Sequence, residues 1–368
     1  MLYKAVLFLC KLFSTIIAVA LAFCALTFLG FSHLNASPLE SHEFLWPFAE
    51  DPSAGNGVRF DGDGALVLEV RNGESAQSVG TRLKTAGIIQ NRYFWNILFR
   101  IDNEYLKTGV YRIELPASQT RIRSILTAGE QILVRVTIPE GLTLRRTADL
   151  FEEAGVCQAG DFLAAASSRE ILNSYNIPGA SIEGYLYPDT YIFSLAYPAQ
   201  LVVRTMADTF FRRLEEIEKE TSASIMNLGT DELFKKVIIA SIIEREYQVQ
   251  EEAPVMSGVF NNRLRIGMAL QSCATVEYVI TEILERPHQQ VLYNRDLEIN
   301  NPYNTYLHRG LPPGPISSPG KIALKAAFAP VSTNYLYFRL VDASSGRHYF
   351  SPTLDEHIKA GVLFVKGR

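Results

Sequence analysis

VRVTIPEGLTLRRTADLFEEAG, residues Val134 to Gly155, and LVLEVRNGESAQSVGTRLKTAG, residues Leu66 to Gly87, share one physical plan. At a common shift of 68 positions, Val70 matches Ile138, Gly73 matches Gly141 and Leu83 matches Phe151. At the same shift Ala86-Gly87 matches Ala154-Gly155, and Phe94 matches Phe162. Each copy opens on a short alternating or apolar strand and turns at glycine. A Ser or Thr then offers to cap a helix whose apolar residues share one face and which stops at glycine. Each copy later returns to a β-rich piece, Gly109-Val110-Tyr111-Arg112-Ile113 and Asp189-Thr190-Tyr191-Ile192-Phe193. The pattern predicts an α+β chain carrying a weak internal duplication.

Toward the N-terminus, Leu12 to Ser32 reads LFSTIIAVALAFCALTFLGFS without a charge. About 20 apolar residues suffice to cross a bilayer as a helix. Lys4 and Lys11 precede the run, and Glu40, Glu43, Glu50 and Asp51 follow it. Basic residues stay on the cytoplasmic side, so residues 1–11 read as a cytoplasmic tail, 12–32 as a single transmembrane helix, and the remainder as extracytoplasmic. A cleaved signal is the rival reading. The run is long for a signal peptide and no A-x-A site follows. Leu21-Ala22-Phe23-Cys24 resembles a lipoprotein box except that Phe23 stands where a small residue is needed. Residues 33–65, with Pro, Gly, Asp and Ser, read as a linker. A subdomain over 66–132 and a larger domain over 133–368 complete the plan.

Hydrophobic residues make up 48% of the 368-residue chain and charged residues 20%, enough for real cores and against wholesale disorder. The net charge of −4 argues against nucleic acid as a partner. Cys10 and Cys24 lie in the apolar region, and Cys157 and Cys273 lack paired spacing, so neither a disulfide scaffold nor a zinc motif is indicated. The six histidines are scattered and no HExxH occurs, so no metal or cofactor is expected. GxSxG and the P-loop pattern are also absent.

From Thr230 the pattern changes. Asp231 to Gln248 reads as one apolar-rich helix with Thr230 or Asp231 as its cap. Glu252 to Leu264 reads as a second helix and Lys321 to Phe328 as a short third. Leu311-Pro312-Pro313-Gly314-Pro315 is a rigid non-helical loop. Tyr335 to Leu340 and His348 to Phe350 flank a Ser-Ser-Gly turn and read as a hairpin.

The first of these helices holds the leading catalytic candidate. Glu244 follows a run that is apolar on nearly all sides, above the small Ala240 and Ser241 on its own face. Partial burial would raise its proton affinity, as a general acid at neutral pH requires. Glu246 lies about 200° round the same helix, so the two form no pair unless the helix breaks. Polar clusters follow. Asn262 beside Asn261 and Arg263, then Gln271 and Thr275, then Tyr303 and Asn304 can serve sugar hydroxyl and acetamido groups, and so can Tyr187 and Asp189 within Glu183 to Tyr191. Each cluster also suits turn chemistry.

Taken in order, IPEGLTLRRTADLF, EGYLYPDTYIF, IASIIEREY, VFNNRLRIGMALQSCAT, NNPYNTYLHRGLPPGPISSPG and the LYF…HYFSPTLDEH end resemble the YceG-like endolytic murein transglycosylase family. The likeness runs from about Val67 to about His357 and includes the N-terminal anchor. It implies a lyase that cleaves MurNAc–GlcNAc bonds of peptidoglycan and leaves 1,6-anhydro-MurNAc ends. It implies Glu244, first of a Glu-x-Glu, as acid/base, with Glu246, Asn262, Gln271, Thr275, Tyr303, Asn304, Tyr187 and Asp189 around the substrate. It also implies a LysM-like glycan-binding subdomain over 66–132, a transglycosylase domain over 133–368, and residence in the bacterial cytoplasmic membrane beside cell-wall synthases of the elongation or division machinery.

The chain departs from the family at three places. Tyr247 stands for Thr, Ser272-Cys273-Ala274 for Thr-Asp-Pro, and Glu277 for an apolar residue. Loss of Asp and Pro removes a charge and a backbone lock. These changes motivate a second reading, a peptidoglycan-binding scaffold with weakened catalysis. A third is an ordinary hydrolase that uses water.

Overall fold

Leu66–Val70 (β2) reads LVLEV, apolar at four of its five positions, and this strand is the centre of a three-stranded antiparallel sheet in the first of two units. A computed structural model describes residues 2–38, 57–61, 63–101, 104–221, 223–288, 292–342 and 344–365. The units are Met1–Leu133 with Ser194–Ala196, and Val134–Phe193 with Tyr197–Arg368. Most of the expected linker, 33–65, lies outside the described residues. Its last part is not linker: Val58–Phe60 (β1) pairs with β2 in the register Val58↔Leu68 and Phe60↔Leu66. Three residues are too few to show a period, so the strand is set by its neighbour.

The first unit begins with α1 (Leu2–Asn35), which contains the expected span 12–32. Its segment Thr15–Asn35 has a mean hydropathy of 2.2 and is unburied, which suits a helix that crosses a membrane. After β2 come α2 (Ala76–Thr85), α3 (Arg92–Ile101), β3 (Gly109–Ile113) and α4 (Gln119–Ala128). β3 closes on β2 with Leu66↔Ile113 and Leu68↔Tyr111. Leu66, Leu68, Leu83, Trp95, Tyr111 and Ile122 form the core of this unit. The Trp95 indole donates to the Ala76 carbonyl at 2.7 Å and fills the space where a Cβ on Gly80 would stand.

The second unit opens with β4 (Leu133–Thr137), α5 (Leu144–Glu153), α6 (Ala159–Ala166), α7 (Arg169–Ser174) and β5 (Thr190–Ser194), and β4 pairs with β5. The duplication is visible here as matched local geometry. Gly73 and Gly141 take φ of 72° and 78°, and Gly87 and Gly155 take 72° and 70°. Ser75 and Thr143 cap α2 and α5, accepting from Ser78 N at 3.2 Å and Arg146 N at 3.3 Å. Both helices end with the same bond across the cap, Ile88 N to Leu83 O and Val156 N to Phe151 O, each 2.9 Å.

The rest is α8 (Ala199–Thr221), α9 (Thr230–Glu244), α10 (Ala253–Arg265), α11 (Cys273–Tyr278), α12 (Asn294–Leu297), α13 (Lys321–Phe328), the hairpin β6 (Tyr337–Asp342) and β7 (Arg347–Ser351), and α14 (Leu354–Val365). The hairpin and the third short helix stand where the sequence puts them. The first helix does not run to Gln248. It starts after Gly229 and stops at Glu244, where Arg245 N and Glu246 N turn back three residues to Ile242 O and Ile243 O. Arg245, Glu246 and Tyr247 all tolerate helix, so the stop comes from tertiary contacts.

Candidate active site

Val237 to Ile243 are buried throughout, and Glu244 is the first residue after this run to reach a surface. The loop between Gly310 and Lys321 is stitched to this helix. Ser241 Oγ donates to Ile238 O at 2.8 Å and accepts from Ile316 N at 3.0 Å, while Ser317 Oγ donates to Ser241 O at 3.0 Å. That stitching delivers Gly320 N to Glu244 Oε2 at 2.8 Å. The glycine turn of the second repeat copy lies beside it: Gly141 N donates to Ser318 O at 2.9 Å, and Ser318 N to Leu142 O at 2.7 Å. A Cβ added at Gly141 would lie 3.7 Å from Glu244 Cγ.

Glu244 opens into a cavity of about 320 Å³ between the Gly141–Thr143 turn and the segment holding Glu277, Thr281 and Glu282. Burial pushes the Glu244 carboxyl up to about 7. The Gly320 N–H and the Tyr247 hydroxyl, which donates at 3.4 Å, pull it down, and the nearby Glu140 charge raises it. The other carboxylates of the cavity are in ion pairs. Glu277 meets Arg245 at 2.9 Å and also His288, and Glu282 meets Arg145 at 3.7 Å. Glu277, the departure from an apolar residue, is thus held by the Arg245 guanidinium and the His288 ring.

The helix break separates the two glutamates by a route other than helical spacing. Glu246 turns to the start of α11, where the Ser272 hydroxyl and Ala274 N donate to it. Burial raises its proton affinity against those two donors. It does not line the cavity.

The other sequence candidates, Gln271 excepted, are structurally occupied. Asn262 Nδ2 donates to Thr333 O and Tyr335 O at 2.8 and 3.0 Å. Asn304 is buried, and its Nδ2 donates to Leu297 O and Ile299 O, each at 2.9 Å. Thr275 is buried, bonded to Ser272 O at 2.8 Å and Thr305 Oγ1 at 2.9 Å. Tyr303 packs 5.0 Å from the Tyr278 ring. Tyr187 lies under the Arg213 guanidinium at 5.5 Å, and Asp189 pairs with that arginine at 3.2 Å. Gln271 is exposed, at φ 51°, with its N–H on Thr305 O. Among these residues Glu244 alone lines the cavity. Cys273 is exposed, its Sγ 3.1 Å from the Tyr306 hydroxyl.

Sequence reasoning passed over Glu183. It is 4% exposed, and its Oε2 accepts from Leu144 N, the first residue of α5, at 3.0 Å. Oε1 has no partner among the described residues. Burial pushes it up to about 8, against the Leu144 and Gly184 N–H groups. The signal was a single charge inside the apolar run Ile182 to Pro188, where burial is the rule.

Comparison with known proteins gives a consistent set of relatives. A Streptococcus pneumoniae protein named endolytic murein transglycosylase is 27% identical over 319 residues, covering 79% of this chain and 57% of that protein. This chain therefore spans little more than half the length of the pneumococcal relative. A Bacillus subtilis protein of the same name is 27% identical over 329 residues, covering 84% of this chain and 88% of its own. The crystal structure of a YceG-like protein of Listeria monocytogenes superposes with a TM-score of 0.51 at 29% identity, covering 80% of this chain and 98% of its own. The YceG-like family profile matches residues 68–361, most of the sequence, and the chain belongs to that family.

Proposed function

We propose that this chain is a lytic transglycosylase that cuts peptidoglycan glycan strands internally at MurNAc–GlcNAc bonds. The supporting observation is Glu244, a carboxyl held near neutral proton affinity in an open cavity whose other carboxylates are ion-paired. Protonated Glu244 gives its proton to the glycosidic oxygen as the C1–O bond breaks. The MurNAc 6-hydroxyl then bonds to C1, and the Glu244 carboxylate takes the hydroxyl proton. The proton count is restored, no water is consumed, and one acid suffices where glycosidases use two. Gly320 N–H fixes Oε2. The names of the pneumococcal and Bacillus relatives agree with this reading.

In the same reading α1 is an uncleaved anchor in the bacterial cytoplasmic membrane, and the rest lies outside, within reach of cell-wall synthases. The region 66–132 serves as a LysM-like glycan-binding subdomain. Two helices joining antiparallel strands β2 and β3 support it. The region 133–368 is the catalytic domain.

Mass spectrometry of peptidoglycan incubated with wild type and with Glu244→Gln tests the proposal. Anhydro-ended fragments from wild type alone are expected. Products heavier by one water would make the chain a hydrolase. No products from either would favour the non-catalytic scaffold that Ser272-Cys273-Ala274 motivates.

A further inference from the structure

α3, RYFWNILFRI, buries Phe94, Trp95, Leu98 and Phe99 and leaves Tyr93, Ile97 and Ile101 exposed by 70, 50 and 71%. A spacing of four sets these three along one stripe. Arg100 is exposed on the same side, and the Arg92 guanidinium lies 5.5 Å from the Tyr93 ring. Tyr105, 78% exposed, follows beyond the helix end.

The stripe borders the place where α1 joins this unit. The Phe31 ring meets Phe94 edge-on at 5.3 Å. Asn35 accepts from Thr120 N and donates to Thr120 Oγ1, both at 2.9 Å, and Gln119 Nε2 donates to Leu34 O at 2.8 Å. The apolar helix is therefore tied at its end to α3 and α4 without a spacer. Its charge-free run, Leu12 to Ser32, rises about 1.5 Å per residue and so covers about 30 Å, the thickness of a bilayer's hydrocarbon. Phe31 then stands at the edge of the hydrocarbon, and Phe94 stands with it. Tyr93 is the next residue to Phe94, about 100° away around the helix.

We infer that the Tyr93–Ile97–Ile101 face of α3 is a lipid-docking surface, lying in the headgroup region of the bilayer that α1 crosses. Tyrosine, aliphatic and arginine side chains on one stripe are what that zone selects. The two arginines favour anionic headgroups. The inference rests on the anchor reading above. A water-facing role would leave three large apolar side chains in line with nothing to cover them.

The test uses the full chain in nanodiscs of phosphatidylethanolamine and phosphatidylglycerol, with or without bromine near the top of the acyl chains. Ile97→Trp adds a reporter to the background of Trp46 and Trp95, which wild type measures. Blue-shifted added emission that bromine quenches about twofold or more is the expected result. Red-shifted emission indifferent to bromine overturns the inference, because the face then meets water. Blue-shifted emission indifferent to bromine also overturns it, because protein, such as a second copy, then covers the face. Tyr93→Trp repeats the measurement at the other end of the stripe should Ile97→Trp fail to fold. Flotation of wild type with vesicles separates the two readings. A chain that stays behind sinks the anchor and the docking together, whereas one that floats with a water-exposed reporter sinks the docking alone.

Discussion

A carboxyl held at about 7 changes its protonation where the cell lives. On the proposed mechanism Glu244 must carry its proton to begin the reaction, so turnover should fall as pH rises through about 7. Tyr247 donates to the ionised form and stabilises it. Tyr247→Phe removes that donor, and the alkaline limb of the pH–rate profile should move upward by about half a unit. Glu183 carries the second shifted carboxyl, at about 8 against an ordinary 4.5. Its proton is bound more tightly in the folded chain than in the unfolded one. Its contribution is therefore most favourable in acid and is lost as pH climbs from about 4.5 through about 8. Glu183→Gln keeps an acceptor for Leu144 N and has no charge to bury. It should flatten the decline of stability between about pH 4.5 and about pH 8, by on the order of 3–5 kcal/mol, measured by denaturant unfolding across pH.

At the scale of elements, α13 was legible and the end of α9 was not, for a physical reason. Pro319-Gly320 marks the start of α13 in the chain itself, whereas Arg245-Glu246-Tyr247 carries no stop signal. There the helix ends as Glu246 reaches Ser272 and Arg245 reaches Glu277. The same blindness affected the amides. Asn262 and Asn304 have the right chemistry for sugars, yet backbone carbonyls claim them, 71 and 73 residues along the chain for Asn262 and a turn away for Asn304. The partial burial of Glu244 was legible in the apolar run before it. Two substitutions probe the packing of elements. Ser241→Ala leaves buried Ile316 N without an acceptor and should cost about 1–3 kcal/mol, with a fall in turnover as Gly320 loosens from Glu244. Gly80→Ala would ordinarily strengthen an exposed helix by about 1 kcal/mol. Here its Cβ collides with the Trp95 ring, and a net loss of about 1–3 kcal/mol is expected by thermal or denaturant unfolding.

The described residues form two cores, one around Trp95 and Tyr111, the other around Phe151, Phe210 and α9. Separate cores are the basis for separate unfolding. Calorimetry should resolve two transitions, with Gly80→Ala lowering one and Ser241→Ala the other. A single transition that both variants lower equally would show the cores to be coupled. The duplicated turn carries a different consequence. Gly73 has open space where a side chain would begin, whereas its counterpart Gly141 lies in van der Waals reach of Glu244, the proposed acid/base. The first turn is thus a spare copy, free of the contact its twin makes with Glu244. A fluorescent or affinity insertion at Gly73 should leave glycan cleavage intact, and the same insertion at Gly141 should abolish it. That difference offers a handle for following the protein in a living envelope without silencing it.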